Sequence, residues 1–161
     1  MLNRRFLLSL SAAALLAACA TPQRGPASVA ETIARDPQLS TLNTLIQKAG
    51  LNEALQGAGP FTVFAPTNDA FKSVPAKTMD ELDKDPARLK SVLSYHVLPA
   101  KVVAKEVKNG NAKTAQGAEL ALSKAGDHVT VEDAMVQTAD VIATNGVVHT
   151  VDRVLMPPVR R

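Results

Sequence analysis

The sequence predicts an α+β domain with mostly antiparallel strand pairing. Helical periodicity fills the first half and fades after Pro99. Short β-prone runs, punctuated by Asn-Gly and Gly-Asp pairs, fill the second half. Helices first and strands later favour an α+β arrangement over alternating βαβ units. One strand interrupts the helical half. Phe61 to Ala65 is almost wholly apolar, the pattern of a strand buried on both faces.

The helical elements carry their own start and stop signals. Ser28-Val29-Ala30-Glu31 fits a capping box, in which the hydroxyl meets a free backbone N–H and the Glu reaches back. Pro37 ends that helix or starts the next. Leu39, Leu42, Leu45, Ile46 and Ala49 follow helical spacing up to a stop at Gly50. Leu51 to Leu55 gives a further short turn before Gly57, Gly59 and Pro60. Thr78 to Glu81 offers a second capping box. Asp85 caps a helix with Pro86 at its first position. Leu89, Val92, Leu93, His96 and Val97 then form the clearest amphipathic stripe, with Pro99 as its stop.

Residues 62–71, TVFAPTNDAF, hold a strand and a helix with a sharp junction between them, and two of the chain's five aromatic residues. Pro66 removes a donor and biases Ala65 toward extended geometry, which ends the strand. Thr67 or Asn68 caps the following helix. Phe64 and Phe71 are expected to anchor both arms of this corner in one core. In the second half, strands are expected at Val102-Val103, Glu119 to Leu122, His128 to Val131, Met135 to Thr138, Val141 to Thr144 and Val147 to Leu155. Asn109-Gly110, Gly126-Asp127 and Asn145-Gly146 separate them, and Asn-Gly favours hairpin turns.

The first eighteen residues read as a signal peptide. A basic head with Arg4 and Arg5 precedes an apolar run from Phe6 to Leu16, too short to span a bilayer. Leu16-Ala17-Ala18-Cys19 resembles the bacterial lipobox, which marks Cys19 for lipidation and anchors the protein in a membrane. Residues 19–27, with two Pro and one Gly, read as the lipidated Cys and its tether. The domain spans 28–158, and 159–161 form a short tail. Removing residues 1–18 takes away Arg4 and Arg5 and lowers the formal net charge from +3 to +1. A balanced charge with few aromatics argues against nucleic acid as a partner. Cys19 is the single cysteine, which excludes a disulfide, a CxxC redox pair and a thiolate zinc site within the chain.

Three segments, in order and spacing, carry a family resemblance. TVFAPTNDAF at 62–71 resembles the first signature of fasciclin domains. Tyr95-His96 resembles their Tyr-His motif, and NGVVHTVDRVLMPP at 145–158 resembles their second signature. The resemblance covers about residues 28–158. It implies a wedge-shaped β-sandwich of about seven strands with several helices packed on one side. It also implies adhesion or extracellular protein association without catalysis or cofactor. The partner would be a cell-surface or matrix protein or glycan.

The candidate residues divide accordingly. Phe64, Pro66, Thr67, Asn68, Phe71, Asn145, Gly146, His149 and Asp152 belong to the signature segments and read as structural. Tyr95 and His96 are the partner-binding candidates, through the family's association of the Tyr-His region with adhesion. For His96 the competing reading is a core histidine with both ring nitrogens bonded inside the fold. His96, His128 and His149 show no metal-ligand spacing. Asp80, Glu81, Asp83 and Asp85 lack the calcium-loop pattern and read as a solvated helix face. No phosphate loop or GxSxG elbow is present. The sequence thus describes an exported, lipid-anchored, non-enzymatic envelope protein, either periplasmic or surface-facing. Ala20 lacks the Asp of inner-membrane retention and favours the outer membrane in a Gram-negative host. The alternative function is binding of a small apolar or amphiphilic ligand in a cleft between helices and sheet.

Overall fold

A computed structural model describes residues 27–158. The expected signal peptide, Cys19, most of the expected tether and the tail at 159–161 lie outside the described residues. Among the described residues, six α-helices and seven strands run broadly as expected, helices first and strands later with one strand between, though the strands at Val97–Leu98 and Gly110–Lys113 lie where none was expected. Helix α1 (Val29–Arg35) leads through a 3-10 turn (Pro37–Leu39) to α2 (Ser40–Lys48) and α3 (Asn52–Gln56). Strand β1 (Phe61–Pro66) precedes α4 (Asn68–Lys72), α5 (Ala76–Lys84) and α6 (Pro86–Tyr95). The remaining strands are β2 (Val97–Leu98), β3 (Gly110–Lys113), β4 (Glu119–Ala125), β5 (His128–Val131), β6 (Ala134–Ala143) and β7 (Gly146–Val151).

The strands form one sheet in the order β2-β1-β7-β6-β5-β4-β3. All neighbours are antiparallel except β1 and β7. That parallel pair runs from Phe61 opposite Gly146 to Pro66 opposite Val151. The chain can close it because all of α4 to β6 lies between, far more than a parallel crossover requires. Strand β6 changes partner along its length. Ala134 and Met135 pair with β5, and Val136 to Ala143 pair with β7 across two register shifts. Such bulges bend a strand and increase its twist.

Both faces of the central pair are covered. Val63 and Ala65 on β1 and Val148 on β7 pack with Ile33, Leu42, Ile46, Leu89 and Leu93 from the helices. Phe64 and Val151 point the other way and pack with Leu120, Leu122, Val129 and Val131 from β4 and β5. The sheet therefore folds over a second core, which gives the sandwich of the expected α+β class. Burial on both faces is what an apolar β1 predicts. The alternation also corrects one expectation. Phe64 and Phe71 lie in different cores, because Phe64 faces β4 and β5 while Phe71 joins the helical side.

Most local signals hold. Ser28 and Glu31 form the capping box, Asp85 caps α6, and Gly50 turns out of α2 with φ of 67°. Others shift. Helix α5 begins at Ala76 without a side-chain cap, so Thr78 lies inside the helix rather than starting it. Helix α6 stops at Tyr95, four residues before Pro99, because Val97 and Leu98 turn aside to pair with β1. Val102-Val103 is not a strand, and the two runs between Met135 and Thr144 fuse into β6.

Gly146 holds a position open to no other residue. It opens β7 instead of completing the hairpin turn, which is made by Thr144 and Asn145. A Cβ at Gly146 would collide with the Phe61 carbonyl, a backbone atom of the paired strand. Gly146→Ala should therefore cost about 3 kcal/mol or more of folding stability, beyond ordinary overpacking at a flexible side chain. Urea denaturation measures it; a loss below about 1 kcal/mol would show that the strands can part without penalty.

Candidate functional site: a buried node between the signature segments

The β1–β7 register lays residues 62–67 and 146–151 side by side. Phe64 is opposite His149, and their rings stack with centroids 5.6 Å apart at 23°. At the end of β1, Pro66 is opposite Val151 and has no amide to offer the ladder. The Thr67 N–H donates to the Val151 carbonyl, and the Thr67 hydroxyl accepts from the Ala70 N–H to cap α4. Of the two predicted caps, Thr67 is the one used. Asn68 instead joins two elements: its side chain accepts from the Thr41 N–H at 3.0 Å and donates to the Pro37 carbonyl at 2.9 Å.

Asn145 does the equivalent work at the other end of the pair. Its Oδ1 accepts from the Val29 N–H at 2.8 Å. Its Nδ2 donates to the carbonyls of Leu55 and Gly57. The first amide of α1 and the last carbonyls of α3, groups every helix leaves unpaired, thus find partners in one side chain. The Asn145 carbonyl accepts from the Phe61 N–H and starts the ladder.

His96 is the C-cap of α6 and is 2% exposed. Its Nδ1 donates to the Val92 carbonyl at 2.8 Å. Its Nε2 accepts from the Leu155 N–H at 2.9 Å, and its carbonyl accepts from the Phe64 N–H. One residue thereby ties all three motif segments together. Accepting at Nε2 requires the neutral ring with the proton on Nδ1. Burial pushes the imidazole down from 6.5 to about 4, against the smaller upward pull of the Val92 carbonyl.

His149 shows the same design. Its Nε2 donates to the Val102 carbonyl, and its Nδ1 accepts from the Asp140 N–H. Burial lowers its pKa, opposed in part by the Val102 carbonyl and the Asp140 charge. Tyr95 is buried among the β4 and β5 side chains. Its hydroxyl lies within hydrogen-bond distance of the Glu119 carbonyl and the Glu132 carboxylate. Burial and the Glu132 charge push the phenol up to about 12. The structure thus places both partner-binding candidates, Tyr95 and His96, in the interior. Asp152 accepts from the Met135 N–H at 2.7 Å, which fixes the start of β6.

Three further residues belong to the node. Thr62 is fully buried; its hydroxyl donates to the Ala100 carbonyl and accepts from the Val102 N–H. Glu132 adopts φ of 54° in the β5–β6 turn, and its carboxylate accepts from the Ala121 N–H as well as from Tyr95. Asp140 adopts φ of 57° and accepts from the Ala104 N–H. A left-handed Glu has no sequence signal, and an Asp between two apparent strand runs reads as an ordinary polar position. His128 is exposed on β5. Among the described residues, no three His, Cys, Asp or Glu side chains come together in a way that could hold a metal ion.

The region between helices and sheet, the place for a small apolar ligand, is filled by Leu42, Ile46, Val63, Leu89 and their neighbours. What the site can do chemically follows from its bonding. Both buried imidazoles have both nitrogens engaged by the protein backbone, and neither is placed to exchange a proton with a substrate.

The histidines also set an acid sensitivity. Folded His96 stays neutral down to about pH 4, whereas the unfolded chain takes up the proton near 6.5. The native state therefore binds fewer protons in this window. Its stabilising contribution is complete above pH 6.5 and is lost as the pH falls toward 4. The loss is on the order of 3 kcal/mol for a shift of this size, and His149 adds to it in the same direction. Urea midpoints between pH 7 and 4 should fall steeply, and the slope should flatten in a folded His96→Asn variant. An unchanged slope would remove His96 from the account.

Comparison with known proteins agrees with this architecture. The fasciclin-domain family model matches residues 37–157. Protein sll1483 of Synechocystis is 42% identical over 135 residues, spanning 81% of this chain and 74% of that protein. The cell surface glycolipoprotein MPB83 of Mycobacterium bovis is 38% identical over 81% of this chain and 60% of its own length. Human periostin is 34% identical, but the match spans only 16% of that protein. In three dimensions, the FAS1 domain pair of the insect cell adhesion molecule Fasciclin I superposes with a TM-score of 0.66 at 18% identity. That match covers 81% of this chain and 51% of the other. The chain belongs to the fasciclin-domain family.

Proposed function

We propose that this protein is a lipid-anchored, non-enzymatic adhesion or association module of the cell envelope. The observation that carries this reading is the bonding of the motif residues. Tyr95, His96, His149 and Asn145 spend their polar atoms on the fold itself. A domain so built offers a rigid outer surface rather than a reactive centre. The relatives support the setting: one is named a cell surface glycolipoprotein, and the insect structure comes from a cell adhesion molecule. Removal of the 1–18 leader would leave Cys19 at the start of the mature chain, and a lipid on Cys19 would supply the anchor. Export would carry the protein to the outer membrane of a Gram-negative host, and its partner would be a cell-surface or matrix protein or glycan.

Partner capture on intact cells, with Cys19→Ala as the unanchored control, tests both halves. The anchored protein should fractionate with membranes and the Cys19→Ala protein should not. The purified domain should retain a surface protein or glycan in either case. A domain that binds neither ends the adhesion reading, and a Cys19→Ala protein that still sediments with membranes ends the lipid-anchor reading.

A further inference from the structure

Three surface clefts, of about 390, 580 and 530 Å³, run along one wall of the domain. They share borders. Ser73 and Asp152 line both the first and the second, and Thr78 and Met156 line both the second and the third. Together they make one groove beside the segment that follows β7, which bends at Asp152 and Arg153 and has no regular structure from Val154 to Pro158.

Two properties of that segment stand out. Among the described residues, the amides of Arg153, Val154 and Met156 have no hydrogen-bond partner, although the Leu155 amide between them is bound to His96. Alternate residues of an extended run share an edge, so Val154 and Met156 leave one edge open, a condition for laying another chain alongside. Met156 is also 43% exposed at the junction of two clefts. The groove is electrically uneven as well. Asp36, Asp69 and Asp152 line its first cleft without a Lys, Arg or His among the lining residues, although Asp69 is ion-paired at 2.7 Å with Lys72 beside it. Its third cleft is floored by Val92, Met156 and Pro157. There Gln116 Nε2 donates to the Ser91 hydroxyl at 2.9 Å.

We propose that this groove docks an extended segment of a partner protein, with basic residues at one end and apolar residues along the rest. The basic end lies against Asp36 and Asp152 by charge complementarity and competes with Lys72 for Asp69. The apolar part covers Met156 and Pro157. This rests on the association reading above and names the surface that performs it.

The test uses the purified domain and labelled nonapeptides: two basic residues followed by seven apolar ones, the same peptide in reverse order, and a twin with glutamates for the basic pair. Fluorescence anisotropy should show saturable binding of one basic peptide and none of the glutamate twin. Added salt and Asp69→Asn should each weaken binding severalfold, since the contact is between partly exposed charges. Met156→Asp should abolish it. Absence of saturation by either basic peptide overturns the proposal, as does equal binding of the glutamate twin or indifference to Met156→Asp. If the peptides fail while the domain still captures a surface component from cells, adhesion stands and this groove is not its site.

Discussion

The rest of the structure depends on the parallel pairing of β1 with β7. These strands lie about 85 residues apart in sequence, yet they form the middle of the fold. All six residues of β7 are buried, and so are all but the first of β1. One face of the pair supports the helices, and the other supports β4 and β5 across the second core. Closing so long a loop is entropically costly and must be recovered from contacts made only when the pair is in register. The signature segments supply those contacts. They flank the pair, begin it at Asn145 and Phe61, and end it at Thr67 and Val151.

Polar groups buried in such a pair must be satisfied or they destabilise it. Here the satisfaction is reciprocal. His96 joins α6, β1 and the segment after β7, while His149 joins β7 to the loop at Val102 and the bulge at Asp140. Each ring acts as a neutral strut between backbone groups that no ladder reaches. The polar groups of the interior are committed to the fold in this way. In the segment after β7, Leu155 is tied inward while its neighbours face the groove.

Much of this was legible in the sequence because it is local. The Ser28–Glu31 box, the Asp85-Pro86 start and the stop at Gly50 each need only a few neighbouring residues to operate. The apolar run of β1 announced a strand covered on both sides. What stayed hidden is set by contacts distant in sequence. Helix α6 ends at Tyr95 because β1 recruits Val97 and Leu98. Asn68 leaves its capping role because α2 presents unpaired groups beside it. Asn145-Gly146 resembles a turn pair, but the nearness of Phe61 is what requires the glycine. The bonds of Glu132 and Asp140 depend on left-handed backbone at residues that usually avoid it. The expected leader and Cys19 are read from the sequence alone, since they precede the described residues.

Native-state hydrogen exchange probes the central pair most directly. The amides of Phe64, Thr67 and Leu155, held by His96 and Val151, are expected to exchange only through global unfolding. Their opening free energies should then equal the total stability from denaturation, and amides of the edge strand β3 should open more easily. If the Phe64 and Leu155 amides instead exchange through a smaller opening, while β4 and β5 stay protected, the β1–β7 pair is not the element on which the fold depends.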